Sequence, residues 1–115
     1  MQVTFAVDSS EITGNFDTEI ANVAKFLREN PLMTAVIEGH TDSTGTPQHN
    51  PRLSGHRADS VHKMLLEEHD INTEQLNSIG YGLTRPIGDN DTAQGRSLNR
   101  RVDLVLDASE AATGP

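Results

Sequence analysis

One acid and one guanidinium, Asp42 and Arg57, bracket the most polar stretch of the chain: Gly39-His40-Thr41-Asp42-Ser43-Thr44-Gly45, running on to Leu53-Ser54-Gly55-His56-Arg57-Ala58. A carboxylate accepts from an ammonium, and a guanidinium holds a carboxylate through two parallel bonds. Together they suit a zwitterion, such as the backbone end of an amino acid. Thr41 and Asn50 can donate and accept beside them, and N–H groups at a helix start near Asn50 would add affinity for an anion. The same two charges could instead form a structural ion pair tying loop to helix. Spacing alone leaves both open and favours the tie, since ion pairs are common without a ligand.

Other chemistries find less support. Glu38 and Asp42 are candidates for the paired carboxylates of glycoside hydrolysis, but one sits on a strand and the other past Gly39 in a loop, so their separation is undefined. Ser43, Ser54 and Ser60 have histidines nearby without a nucleophile elbow of the G-x-S-x-G kind. The five histidines, His40, His49, His56, His62 and His69, form no H-E-x-x-H. His62 and His69 would stand about 10 Å apart on one helix face, too far for one ion. They read as surface or helix-face residues, and no metal is expected. The glycines assemble into neither a phosphate loop nor a dinucleotide fingerprint.

Elements that could position Asp42 and Arg57 follow from the hydrophobic pattern. Val3, Phe5 and Val7 alternate with polar residues as in a half-buried strand. Phe16, Ile20, Val23, Ala24 and Leu27 make one helical face, preceded by turn and cap chemistry at Thr13-Gly14-Asn15 and stopped at Asn30-Pro31. A second strand spans 33–38. Asn50-Pro51 reads as the start of the main helix, after a short turn at 46–49, with Ala58, Val61, Met64 and Leu65 inward. Thr73 is expected to cap a single turn before a weak strand at 77–81. The segment 91–99 reads as a partial helix, and Val102, Leu104 and Leu106 face one way in a last strand. This is an α+β order, βαβαβ(α)β. It predicts a two-layer sandwich with helices on one face of a mixed four-stranded β-sheet, over residues 1–107, followed by a disordered polar tail at 108–115.

With 115 residues, 34% of them hydrophobic, the chain suits one domain with an economical core. Nine Lys and Arg against 17 Asp and Glu give a charge of −8, which argues against nucleic acid and anionic lipid as partners. There is no cysteine, so disulfides and thiolate chemistry are excluded. No apolar run is long enough to span a membrane. With no leader pattern at the start, the sequence fits a cytosolic protein or a piece of a longer secreted one.

The run Ile37-Glu38-Gly39-His40-Thr41-Asp42, with Gly45, Asn50, Leu53-Ser54 and Arg57-Ala58, closely resembles the OmpA-like C-terminal domain family. That family includes outer-membrane OmpA-type proteins, peptidoglycan-associated lipoproteins and flagellar motor stator proteins. Phe5 with Asp8-Ser9, Gly80-Tyr81-Gly82 with Pro86, and Gly95-Arg96 with Asn99-Arg100-Arg101-Val102 resemble its other motifs, in family order, over residues 3–106. The resemblance implies a non-catalytic, cofactor-free periplasmic domain within an outer-membrane or envelope-anchored protein. It would bind peptidoglycan non-covalently through the diaminopimelate of the stem peptide, a side-chain zwitterion. Asp42 would then meet the ammonium and Arg57 the carboxylate, with Asn50, Thr41, Asp8 and Arg100 completing the pocket. The alternative is a scaffold or homodimerising module of an envelope assembly that binds no peptidoglycan itself. Three residues depart from the pattern: His49 where a Tyr is frequent, Pro51 after Asn50, and Leu83 for a frequent Glu.

Overall fold

The structure, a computed structural model, describes residues 2–107; the expected tail at 108–115 lies outside them. Four strands, β1 (Gln2–Thr4), β2 (Thr34–Gly39), β3 (Leu76–Gly80) and β4 (Arg101–Asp107), form one sheet in the order β1-β4-β2-β3. β4 runs antiparallel to both β1 and β2, and β3 runs parallel to β2. The sheet is mixed and four-stranded, as the element order predicts. The described residues also form three α-helices, α1 (Asp17–Glu29), α2 (His49–Glu68) and α3 (Ala93–Asn99), and two short 3-10 turns at Gly14–Phe16 and Thr73–Gln75.

The core lies between one sheet face and two helices. Ala35 and Ile37 of β2 and Val102 and Leu104 of β4 meet Ile20, Ala24 and Leu27 of α1 and Ala58, Val61 and Leu65 of α2. These are the residues of the predicted helical faces; Val23 and Met64 pack at the margin. α3 supplies no core residue. It is attached by polar bonds instead: the Asn99 side chain accepts from Ile87 N and Gly88 N and donates to the Gly88 carbonyl. That explains a helix with no apolar stripe.

Several expectations need correction. The first strand ends before Val7, which is 63% exposed, because the chain turns at Ala6–Ser9 with Ser9 N bonded to the Ala6 carbonyl. Helix α2 starts at His49, not after it, and includes Pro51. A proline in the first turn removes an N–H that would have had no helical acceptor. Thr13 makes no side-chain cap. Asn72, not Thr73, caps the turn at 73–75, its side chain accepting from Glu74 N. Leu106 remains exposed near the end of β4 while Val102 and Leu104 are buried.

α2 lies unusually close to the sheet. A Cβ built at Gly39 would fall 1.9 Å from the Ser54 carbonyl oxygen, and one at Gly80 would fall 2.6 Å from Gly55 N. The Ser54 hydroxyl bridges the contact, donating to the Pro51 carbonyl and accepting from Gly82 N at 2.8 Å. This seating sets the height of α2 over β2, and hence the position of every polar group that α2 carries.

Candidate functional site

Two chain segments, one on each side, hold the end of β2. His40 N donates to the Arg101 carbonyl, Thr41 N to the Gly82 carbonyl and Tyr81 N to the Gly39 carbonyl. Asp42 emerges just beyond this clamp. Its Oδ1 accepts from Thr44 N at 2.8 Å and from the Thr44 hydroxyl, an Asx turn legible in Asp42-Ser43-Thr44. Its Oδ2 accepts from Arg100 Nη1 at 3.0 Å. Burial opposes ionisation of Asp42, but the Thr44 bonds and Arg100 outweigh it and hold its pKa below the usual carboxylate value.

Arg57, two turns along α2 from Asn50, is fully buried at 0% exposure. Its partners are carbonyls rather than an acid: Nε donates to Ser9 at 2.7 Å, Nη1 to His40 at 2.9 Å and Nη2 to Ala6 at 3.1 Å. Phe5 lies under the guanidinium, 5.2 Å from ring centroid to Cζ. Among the described residues Asp42 pairs with Arg100 and not with Arg57, so the structural tie that the spacing favoured is not the one formed. Burial lowers the Arg57 pKa to about 10; Asp42 and Asp8 act to raise it and Arg100 to lower it. It stays charged at neutral pH, and two of its five N–H groups have no acceptor among the described residues.

Arg100 joins β1 to the site, with Nε donating to the Phe5 carbonyl and Nη1 to Asp42. Asp8 arrives on left-handed backbone, φ 54, a conformation that Asp tolerates better than most residues. Asp8, Thr41, Asp42, Asn50, Arg57 and Arg100 therefore line one cavity of about 230 Å³. Two acids and two guanidinia face each other across it. Asn50 is 1% exposed, and neither its Oδ1 nor its Nδ2 has a hydrogen-bond partner among the described residues. Sequence reasoning missed Val7 and Leu53, which supply apolar wall, and gave Thr44 and Gly45 no role of their own.

A second cluster lies at the far side of the clamp. His40, expected at the surface, is 1% exposed and stacks on Tyr81 with ring centroids 5.5 Å apart. Burial, then Arg101, push its pKa down to about 4, with Asp103 opposing. It is neutral at pH 7, so its 3.6 Å approach to Asp103 is not an ion pair there. Glu38, His40 and Asp103 bring three donor atoms within 4.8 Å of one another. Arg101 already occupies Asp103 Oδ2 at 2.9 Å, and with Arg85 it opposes a further cation, so the cluster is poorly suited to a metal.

Residues 4–100 match the OmpA family. The chain belongs to the OmpA family. Among its relatives, outer membrane porin F of Pseudomonas aeruginosa is 40% identical over 108 residues, which are 94% of this chain and 31% of that protein. Outer membrane protein Omp38 of Acinetobacter baumannii is 42% identical over 109 residues, again 31% of its length. The OmpA-family domain thus spans about a third of the length of these curated relatives. Among solved structures, the peptidoglycan-associated lipoprotein from Burkholderia pseudomallei superposes with a TM-score of 0.89 at 26% identity, covering 92% of this chain and 89% of that one. The C-terminal domain of Helicobacter pylori MotB gives 0.85 at 28% identity, covering 97% and 89%. No helix among the described residues is long and apolar enough to cross a membrane.

Proposed function

We propose that this OmpA-family domain binds peptidoglycan non-covalently, through the diaminopimelate side chain of the stem peptide, in the cavity between Asp42 and Arg57. The observation that carries this reading is the state of Arg57. A fully buried guanidinium whose hydrogen bonds go to carbonyls has no directly bonded counter-ion, Asp42 and Asp8 acting on it only at a distance, and a buried charge without a bonded partner is costly. A carboxylate entering the cavity would supply one, using the two free N–H groups. The ammonium of the same side chain would lie toward Asp42 and Asp8, and the unpartnered amide of Asn50 would both donate and accept. With two charges of each sign, the cavity favours a zwitterion over a simple anion or cation. Relatives named as outer-membrane proteins and peptidoglycan-associated lipoproteins support the reading and a periplasmic setting. The domain acts by binding rather than by catalysis.

The test is co-sedimentation with purified peptidoglycan sacculi, combined with calorimetric titration of a diaminopimelate-containing peptide and its lysine counterpart. Wild-type chain should sediment and prefer the diaminopimelate peptide. Asp42→Asn should do neither. Sedimentation of Asp42→Asn at the wild-type level would overturn the pocket assignment, whereas a wild-type chain that self-associates without sedimenting would favour the scaffold reading.

A further inference from the structure

His49 lines the cavity but has no part in the zwitterion clamp just described. As the first residue of α2, it is fixed by its N–H, which donates to the Thr46 carbonyl at 3.1 Å and to the Thr46 hydroxyl at 3.0 Å. Its Nε2 lies 2.6 Å from Asp8 Oδ1. The Asp8 side chain is 70% exposed, and His49 is its hydrogen-bond partner among the described residues. The loop after β2 passes close to the imidazole: a Cβ at Gly45, φ 95, would fall 3.3 Å from His49 Cδ2. The ring, 42% exposed, thus lies between loop and helix start with its Nε2 on the Asp8 carboxylate. Restraining a group that must meet a ligand lowers the ordering cost of binding.

We propose that His49 is a positioning residue for the ligand's ammonium. As a neutral imidazole it holds Asp8 at the mouth of the cavity with that carboxylate's full negative charge available. As an imidazolium it cancels that charge and repels the ammonium. The proposal rests on the zwitterion reading above. The charged groups that line the cavity with His49 are Asp8 from the loop after β1, Asp42 from the loop after β2, Arg57 from α2 and Arg100 between α3 and β4. Asp42 is held below the usual carboxylate range and Arg57 titrates at about 10, so neither changes charge near neutrality. Arg52 and His56 share the helix but do not line the cavity. Binding therefore tightens as His49 loses its proton.

The test is calorimetric titration of a diaminopimelate-containing tripeptide into the whole chain between about pH 5.5 and about pH 8, the range in which histidine ordinarily titrates. Wild type should bind about fivefold more weakly at the acidic end, as expected for one added like charge at a half-solvated site. His49→Gln, which keeps a neutral N–H donor, should lose the pH dependence and retain most of the affinity seen at the alkaline end. His49→Ala should be equally flat but weaker there, and His56→Gln should keep the wild-type profile. A flat wild type, or a His49→Gln that keeps the slope, overturns the role of His49 and leaves the pocket standing. A wild type that binds the peptide at no pH overturns both.

Discussion

Asp42 and Arg57 are both buried charges on one cavity, yet they are held so differently that their substitutions should separate binding from stability. Asp42 has three donors, one of them its counter-ion Arg100. Asn in its place keeps the shape and an acceptor for Thr44 while removing the charge, so Asp42→Asn is expected to lose sacculus binding at a cost of about 1–2 kcal/mol in stability. Arg57 joins three carbonyls from two different parts of the chain, Ala6 and Ser9 after β1 and His40 after β2. Arg57→Ala leaves those acceptors buried and unpaired, and should cost about 3 kcal/mol or more in urea unfolding besides abolishing binding. A variant that sediments normally with sacculi would contradict the assignment, and one that unfolds at the wild-type urea concentration would contradict the structural role of Arg57.

At the scale of elements, the distance from α2 to β2 decides whether Asn50 and Arg57 reach the cavity. That distance is set by backbone contact with Gly39. Gly39→Ala places a methyl carbon inside the Ser54 carbonyl contact, and the backbone of a helix twenty residues long must then move. A loss of about 3 kcal/mol or more is expected, together with weakened peptide binding. Gly55, on the same helix, is the control: nothing lies within 4 Å of a Cβ there. Gly55→Ala should stabilise the domain by about 0.5–1 kcal/mol through helix propensity alone and leave binding unchanged. Equal effects of the two substitutions on thermal unfolding would refute close seating as the device that positions the site.

At the scale of the whole molecule, the pH dependence of stability combines two groups that lie on either side of the clamp at the end of β2. His40 has its pKa lowered from 6.5 to about 4 in the folded protein. The unfolded chain therefore binds its proton more readily, and the stability that depends on neutral His40 is fully present above about pH 6.5 and is lost as pH falls toward 4. The loss is of the order of 3 kcal/mol. Asp42, also depressed, contributes stability that is present above the unfolded carboxylate value and lost only below it. Unfolding measured across this range should thus decline in two stages. His40→Phe, which keeps a ring against Tyr81, should remove the upper stage, and a wild-type curve flat from pH 6.5 to 4 would show that His40 is not buried neutral.

Much of this domain was legible in its residues. The inward faces of both long helices could be read because burial follows a 3.6-residue period, and the four-stranded mixed sheet followed from element order. The OmpA-family motifs named six polar residues scattered from Asp8 to Arg100, and all six line one cavity. Pairing was not legible. Sequence spacing matched Asp42 with Arg57, whereas the fold gives Asp42 to Arg100, from the other end of the chain, and leaves Arg57 to carbonyls. Nor could sequence separate His40 from the four less buried histidines, since nothing local reports that Tyr81 and Arg101 will cover it. The sequence determined which groups carry charge and which faces are apolar, because those are properties of single residues and short periods. Which charges meet, and which is left without a partner, depends on distances between segments far apart in the chain, and only the tertiary structure decided them.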